Sequence, residues 1–354
     1  MQGKIISENT EASAEFQPSH HRALVVAPAW IGDAILSQPL LARLRQLRPD
    51  VQLDILAPAW VAPVYERMPE TGDIIHNPFA HGSLALSERW RLGKKLSERA
   101  YEQAYILPNS FKSALIPFFA GIPERIGFTG EARYGLVNRR HALDQTALPL
   151  MVERFAQLAE PPGVPPPRPL PYPKLTSSEE RQSEIRQSLG LGEDQRPVVF
   201  CPGAEYGPAK RWPAGHFAAL ARALAERGHT VWLLGSDKDA LTGEEIRERA
   251  PGICRNLCGV TRLEQAIDLI AAAELTVCND SGLMHIAAAL GKPLVALFGS
   301  SSPTFTPPLS EHAHILSLQL ACSPCFKRTC PLGHLDCLKH LEPDRVLAAC
   351  LRHL

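Results

Sequence analysis

A proline-rich segment at residues 161–173 constrains the fold of this chain more than any other feature. The segment reads PPGVPPPRPLPYP and holds eight prolines. Proline lacks a backbone N–H and has a fixed φ, so this segment forms neither a helix nor a sheet ladder and acts as a semi-rigid spacer. We therefore predict a linker at residues 161–175 between two domains, at residues 21–160 and 176–354.

Both halves of the chain alternate short apolar runs with amphipathic helical patterns. The apolar runs predict strands at 22–27, 51–57, 73–76 and 104–107 in the first half, and at 198–201, 231–235, 275–279 and 294–299 in the second. Alternation of this kind is typical of parallel sheets with helical crossovers. We predict an α/β protein with two Rossmann-like α/β/α domains that face each other across a cleft. Ligands in such sheets bind beyond the carboxyl ends of the strands.

Composition excludes several classes of protein. The 354 residues include 37 basic and 37 acidic ones, so the chain lacks the basic excess on which general nucleic-acid binding depends. Residues 1–20 are polar, which predicts a disordered tail rather than a signal peptide. The nine cysteines all lie between residues 201 and 350, and we expect them to be reduced thiols of a cytoplasmic protein.

The segment CPGAEYGPAKRWP, residues 201–213, predicts a phosphate site. It joins a strand to an amphipathic helix, where free N–H groups and the helix dipole favour an anion. It is not a P-loop, because Lys210 comes three residues after Gly207 and is followed by Arg211. The residues that we predict to bind the phosphate here are Gly203, Ala204 and Lys210.

Two further segments follow strands of the second half and are expected at the same sheet edge. In GSDKD, Asp237 and Asp239 stand where dinucleotide folds hold a ribose hydroxyl. They can also be solvated loop charges, or a D-x-D metal site. In NDSGLMH, the start of a helix at Ser281 and Gly282 can hold a diphosphate, next to Asp280 and His285. The alternatives are an ordinary helix cap and a buried core histidine.

In the first half, the turn Trp30–Ile31–Gly32–Asp33 ends the first strand and opens a helix. Asp33 is expected to face the cleft between the domains, where its carboxylate can accept a proton from an attacking hydroxyl. The alternative is a carboxylate that only complements the helix dipole.

Five segments together carry a resemblance to a known family, and they extend from about Arg22 to the C-terminus. They are AWIGDAILSQPLL, PGAEYGPAKRWP, NDSGLMHIAAALGKP, LFGSSSP and CSPCFKRTCPLGHLDCL. In these segments the chain resembles the bacterial inverting heptosyltransferases, whose fold is GT-B. The resemblance implies that Asp33 is the catalytic base and that Lys210 lies at the donor phosphates. It also implies that Asp239, and less surely Asp237, contacts the ribose, and that Asp280, Ser281, Gly282 and His285 contact the diphosphate and heptose. Ser281 stands where the family commonly has Thr, and it keeps the hydroxyl.

The resemblance also implies a reaction. A heptosyltransferase of the branch that shares PGAEYGPAKRWP moves L-glycero-D-manno-heptose from ADP-heptose to the first heptose of the lipopolysaccharide inner core. It needs no metal or other cofactor, and its lipid-linked heptosyl-Kdo acceptor places it at the cytoplasmic face of the inner membrane. Two alternatives stay open: a transferase of the same fold with another nucleotide-sugar or acceptor, such as another heptosyltransferase, and a non-catalytic nucleotide-binding module.

Two further groups of residues have open roles at this point. The basic residues Lys112, Arg125 and Arg133 are candidate contacts to the anionic acceptor, or ordinary surface charges. The cysteines of a C-x2-C-x4-C-x6-C pattern are either a reduced structural cluster, which we favour, or zinc ligands with unusual spacing. They are Cys322, Cys325, Cys330 and Cys337.

Overall fold

The computed structural model describes residues 21–79, 82–192 and 197–354, so the predicted polar tail at 1–20 lies outside the described residues. Two six-stranded sheets form the frame, and every strand pairing in them is parallel. The strands of the first sheet are β1 (Arg22–Val26), β2 (Gln52–Ala57), β3 (Thr71–His76), β4 (Gln103–Ile106), β5 (Glu124–Phe128) and β6 (Arg139–His141). Those of the second are β7 (Pro197–Cys201), β8 (Thr230–Leu233), β9 (Cys254–Asn256), β10 (Leu275–Asn279), β11 (Leu294–Phe298) and β12 (Ala313–Ser317).

Helices cover both faces of each sheet. In the first half they are α1 (Ile31–Leu36), α2 (Gln38–Leu47), α3 (Ala62–Tyr65), α4 (Leu86–Ser97), α5 (Leu115–Phe119) and α6 (Met151–Gln157). In the second half they are α7 (Glu179–Ser188), α8 (Ala214–Ala225), α9 (Ala240–Arg249), α10 (Leu263–Ala272), α11 (Gly282–Ala289), α12 (Asp336–Lys339) and α13 (Pro343–Cys350). Among the described residues, no helix is both long and apolar enough to cross a membrane.

The two sheets share one strand order. The first runs β3-β2-β1-β4-β5-β6, and the second runs β9-β8-β7-β10-β11-β12 when read in the same direction. This is the Rossmann order, in which the direction of winding reverses between the first and fourth strands and leaves a crevice at their carboxyl ends. The predicted pair of Rossmann-like α/β domains is therefore confirmed. The domain boundaries stay a prediction, although residues 161–175 contain neither helix nor strand.

The sequence prediction missed the outer strands β5, β6, β9 and β12. The central strands β7, β10 and β11 are buried along their whole length, and their near-continuous apolar runs identify them in the sequence. The missed strands carry sequences such as RRH and CRN, with partly exposed positions. Short strands with exposed polar residues give no such apolar run.

The helical sequence pattern at 35–47 falls on two helices in the structure. The chain breaks at Ser37, between α1 and α2. Pro39 is the cause, because its ring lacks an N–H and clashes with the carbonyl four residues earlier in a continuous helix. The same proline fits the first turn of α2. The break leaves α1 as a separate short helix at the cleft.

The two halves are joined by buried contacts. Arg67, just after α3, donates to both carboxylate oxygens of Asp268 in α10 at 2.9 and 2.7 Å, and Ser177 donates to the same carboxylate at 2.7 Å. Both partners of the ion pair are buried. Helix α1 also packs on α11 of the other half. One apolar cluster consequently extends through both halves.

Candidate active site

The predicted site segments follow the four strands that border the two crevices. Asp33 follows β1 and Lys112 follows β4, while Lys210 follows β7 and Asp280 follows β10. Because each pair of strands flanks the reversal of winding in its own sheet, both segments of a half meet at one sheet edge. The packing of α1 on α11 then brings the two edges together.

Asp33 lies in the first turn of α1, but it does not cap this helix, since the N-cap residue is Trp30. Burial raises the pKa of the Asp33 carboxyl to about 6, and the positive charge of Lys210 acts in the opposite direction. A carboxylate with a pKa close to neutral is suited to general base catalysis. The structure therefore gives Asp33 the environment that its predicted role requires.

Lys210 forms the central charge pair of the second half. It ends a 3₁₀ turn, Pro208–Lys210, and its Nζ donates to Oδ2 of Asp280 at 2.6 Å. Both side chains are largely shielded from solvent. The ammonium group also lies 4.9 Å from the ring centre of Tyr206. Since Lys210 carries three donors, the bond to Asp280 leaves two for a phosphate.

The beginning of α11 has no side-chain cap. Ser281 is the N-cap residue, yet its hydroxyl makes no capping bond and lies 3.3 Å from Sγ of Cys278. The carboxylate of Asp280 is bound to Lys210 instead of to the helix. The N–H groups of the first turn are thus left without the side-chain partner that the capping alternative requires.

The start of α11 also touches the other half of the molecule. A Cβ on Gly282 would lie 2.8 Å from Cβ of Ile31, and a Cβ on Gly32 would lie 2.8 Å from Cδ2 of His285. His285 is buried, and burial lowers the pKa of its imidazole to about 4, so the ring is neutral at pH 7. His285 is therefore a buried residue at the contact between the Trp30–Asp33 turn and helix α11.

The acidic segment after β8 separates its two carboxylates. Asp239 is buried, and its Oδ2 accepts from the N–H and the hydroxyl of Ser236 at 3.0 and 2.8 Å. Gly203 lies against it so closely that a Cβ there would stand 2.3 Å from Oδ2. Asp237 is exposed. Asp239 thus packs under the 201–213 turn, where Ala204 is also buried, and Asp237 stands free toward solvent.

Asn279 is a positioning residue that the sequence analysis did not single out. It is buried, accepts from the N–H of Trp212 at 3.1 Å and donates to the carbonyl of Pro202 at 2.7 Å. These bonds tie the end of β10 to both sides of the 201–213 turn. The sequence feature that could have identified it is an Asn at the end of an apolar strand, directly before Asp280.

The cleft of the first half has a volume of about 540 Å³ and contains Asp33 and Lys112. Lys112 pairs with no carboxylate among the residues that the structure describes. The sequence analysis missed other side chains of this cleft, which are Trp30, Trp60, Asn77, Arg89, Glu131 and Arg154. They lie on different elements, and no local motif connects them.

Arg125 and Arg133 lie outside the lining of this cleft. The guanidinium of Arg125 donates to three backbone carbonyls, those of Ile122, Gly135 and Leu136. Arg133 is buried and donates to the carbonyls of Pro108 and Phe128 and to the side chain of Asn109. Both guanidinium groups thus bind groups of the first half itself, and Arg133 holds the 108–109 turn that lines the cleft.

The four cysteines of the C-x2-C-x4-C-x6-C pattern are free thiols around one small void. Within the described ranges, no group of three or more His, Cys, Asp or Glu side chains is placed to hold a metal ion. The geometry thus gives no support to the zinc alternative or to the D-x-D alternative. The loop that contains these cysteines also holds the 201–213 turn. The carbonyl of Arg328 accepts from Ala209 N–H at 3.0 Å, and that of Phe326 accepts from the Tyr206 hydroxyl at 2.8 Å.

Two Rossmann-like sheets, a raised-pKa carboxylate on one and a lysine beside an uncapped helix start on the other, define a glycosyltransferase of the GT-B class. The model of the family "Glycosyltransferase family 9 (heptosyltransferase)" matches residues 89–336. The chain belongs to this family, and the predicted class of enzyme and the predicted family are confirmed.

Named relatives of this chain support the same family assignment. The chain is 47% identical to "Lipopolysaccharide heptosyltransferase 2" of Escherichia coli strain K12, and the match covers 92% of this chain and 96% of the relative. It is 48% identical to the protein of the same name from Salmonella typhimurium strain LT2, with the same coverage. The solved structure of E. coli ADP-heptose lps heptosyltransferase II superposes with a TM-score of 0.85 at 45% identity, over 94% of this chain and 98% of that one. The GT-B prediction is thereby confirmed.

Proposed function

We propose that this protein transfers L-glycero-D-manno-heptose from ADP-heptose to the first heptose of the lipopolysaccharide inner core, with inversion at the anomeric carbon. The observation that carries the proposal is the juxtaposition of Asp33, on the first sheet, with Lys210 and the α11 start, on the second. The names and the high identity of the heptosyltransferase 2 relatives support the choice of donor and acceptor.

The proposed reaction forms one bond and breaks one. An acceptor hydroxyl in the first-half cleft attacks the anomeric carbon while its proton passes to the carboxylate of Asp33. The bond between that carbon and the diphosphate oxygen breaks, and ADP leaves with the bonding electron pair. Negative charge grows on the diphosphate, where Lys210 and the first N–H groups of α11 stabilise it.

The other donor contacts follow from position. Gly203 and Ala204 belong to the 201–213 turn. The resemblance implied a ribose contact for Asp239 more than for Asp237, and we now assign it to Asp237 because its carboxylate is exposed whereas Asp239 is buried. Asp239 supports this turn from below through Ser236 and Gly203. In the acceptor cleft, Lys112 is one of three basic residues, with Arg89 and Arg154, that an anionic saccharide can meet.

The location that we propose is the cytoplasmic face of the inner membrane. ADP-heptose is a charged, water-soluble donor, whereas the lipid-linked acceptor stays anchored in the bilayer. The enzyme then reaches the membrane through its acceptor.

The test offers purified enzyme two acceptors: inner core that ends in Kdo and inner core that already carries one heptose. We expect ADP-heptose to add one heptose, seen by mass spectrometry, to the second acceptor only. Addition to the heptose-free acceptor would assign the chain to another heptosyltransferase step. In a parallel thermal-shift series, stabilisation by NAD or a UDP-sugar in place of ADP-heptose would contradict the donor assignment.

A further inference from the structure

Tryptophan exposure differs sharply between the two halves of the chain. Trp30, Trp60 and Trp90 are 43%, 49% and 50% exposed, and all three belong to the first half. The two tryptophans of the second half, Trp212 and Trp232, are each 1% exposed. Trp30 and Trp60 line the acceptor cleft, but Trp90 does not. The proposed reaction leaves the exposure of Trp90 without a role.

Trp90 belongs to an exposed apolar ridge on α4. Leu86, Trp90 and Lys94 follow one another at intervals of four residues, so their side chains lie in one row along the helix. Leu84, just before α4, is exposed as well. The opposite face of α4 is buried through Arg89 and Leu96. The row is therefore the solvent side of a helix whose other side is firmly packed.

Helix α5 continues the same surface. Gly93 of α4 packs so closely on α5 that a Cβ there would stand 2.5 Å from Cβ of Phe119. The neighbouring Phe118 is 44% exposed, and the Arg125 guanidinium lies 5.5 Å from the centre of its ring. We name Leu84, Leu86, Trp90, Lys94 and Phe118 the α4–α5 surface. Exposed apolar groups gathered in this way are typical of an interaction site.

Basic groups border this surface. Lys94 and Lys95 are exposed, and neither forms an ion pair with a carboxylate in the part of the chain that the structure describes. The acidic groups on this helix and at its end are Glu88, which interacts with Arg91, and Glu98. Tryptophan and leucine next to lysine on one helix face is the pattern of interfacial helices, whose apolar groups enter the lipid while the ammonium groups meet anionic headgroups.

Helix α4 carries the α4–α5 surface on one side and a residue of the acceptor cleft on the other. Arg89, on the buried side of α4, donates to the carbonyl of Lys112 at 3.3 Å and stacks 4.0 Å from the ring centre of Phe79. Phe79, Arg89 and Lys112 all line the cleft. Any partner bound to the exposed side of α4 is consequently separated from the acceptor site by this one helix.

We propose that the α4–α5 surface rests on an anionic lipid bilayer and holds the acceptor cleft at the membrane. The orientation rests on the proposed function, because a lipid-linked acceptor keeps its anchor in the bilayer while its saccharide enters the cleft. Trp90, Leu86 and Phe118 insert among the headgroups, and Lys94 and Lys95 pair with their phosphates.

The test is co-sedimentation of the full chain, without nucleotide or acceptor, with phosphatidylcholine vesicles prepared with and without phosphatidylglycerol. We expect binding to the phosphatidylglycerol vesicles that weakens as salt is raised. The pair Leu86→Ser and Trp90→Ser should abolish most of it. Lys94→Glu should weaken it by more than about fivefold, because the loss of one basic residue near an anionic surface accounts for that factor and the new carboxylate is repelled as well. The matched controls are Leu241→Ser, at an 84% exposed leucine of α9, and Lys339→Glu, at an exposed lysine of α12; both should bind as the unaltered chain does.

Activity assays separate this inference from the proposed function. With acceptor embedded in phosphatidylglycerol vesicles, Trp90→Ser should raise KM and leave kcat intact. With a deacylated, water-soluble acceptor, it should change neither. Vesicle binding equal to that of the unaltered chain in Trp90→Ser would overturn the membrane assignment. So would a dimer, seen by sedimentation velocity, that Trp90→Ser dissociates, because the surface would then join two copies of the chain. A failure of heptose transfer with intact vesicle binding would count against the proposed function alone.

Discussion

At the scale of single residues, a carboxylate that takes up a proton near neutral pH must keep its pKa close to that pH. Asp33 does so because burial raises the pKa of its carboxyl to about 6, despite the opposing charge of Lys210. Its base form is the ionised one. The transfer rate should therefore be constant above pH 6 and fall tenfold per pH unit below it.

Asp33→Asn should lower kcat by about 10²–10⁴-fold, the usual contribution of a general base, and leave ADP affinity unchanged.

The same substitution should stabilise the fold, although it lowers activity. A raised native pKa means that the folded state loses stability as pH rises from about 4 to about 6. The melting temperature of Asp33→Asn should consequently exceed that of the unaltered chain by more at pH 8 than at pH 4. Asp50→Asn, at an exposed carboxylate near His21, is the control, and normal turnover in Asp33→Asn would refute the base assignment.

Lys210 and Asp280 form a charge pair that serves two purposes, and a double substitution separates them. Lys210→Met leaves a buried carboxylate without its partner and should destabilise the fold by about 3 kcal/mol. The double variant with Asp280→Asn should recover much of that stability in urea unfolding. ADP-heptose affinity, measured by calorimetry, should stay low in both variants. Recovery of donor binding in the double variant would mean that Lys210 acts only through Asp280.

Lys210→Met should also move the acid limb of the pH–rate profile. The charge of Lys210 lowers the pKa of Asp33. Its removal should therefore shift the limb to higher pH, and an unchanged limb would show that the two groups are not coupled.

At the scale of elements, helices α1 and α11 meet through two glycines. A methyl group at Gly32 would enter the space of the buried His285 ring. We expect Gly32→Ala to cost about 1–3 kcal/mol of unfolding free energy, as overpacking does, and to reduce kcat because Asp33 shares the same turn. Gly215→Ala, in α8, is the control: its Cβ would meet only Arg249 Nη1 at 3.7 Å. Equal stability and activity in both variants would contradict this account.

Elements also show what the sequence can predict. Central strands such as β7 and β10 were predicted because burial on both faces leaves an uninterrupted apolar run. The segments after them were found because a switch point lies where those strands end. The direction in which a long side chain points cannot be predicted in the same way. Arg125 and Arg133 turn inward to carbonyls that come from other loops, and no local pattern encodes such a choice. The aromatic lining of the cleft, Trp30 and Trp60, was missed for the same reason.

At the scale of the whole molecule, the Arg67–Asp268 pair joins the halves inside the protein. Arg67→Met should cost about 3–5 kcal/mol, since it leaves a buried carboxylate whose one remaining hydrogen bond, among the described residues, comes from Ser177. We expect the single calorimetric transition to split or broaden as the halves lose their coupling. Arg249→Met, which breaks an exposed pair with Glu245, should change stability by less than about 1 kcal/mol. A similar small effect in Arg67→Met would mean that apolar packing alone joins the halves.

The common strand order of the two sheets has a stereochemical consequence. Each sheet offers its own crevice, so in the proposed reaction the attacking hydroxyl binds to one half and the departing diphosphate to the other. A sugar held between them presents one side of its ring to the nucleophile and the opposite side to the leaving group. This arrangement allows direct displacement from the face opposite the leaving group, and the anomeric configuration is then inverted in the product. Net retention would need a second displacement through a covalent intermediate, or attack from the side of the leaving group, so the placement of the two groups on opposite halves favours inversion.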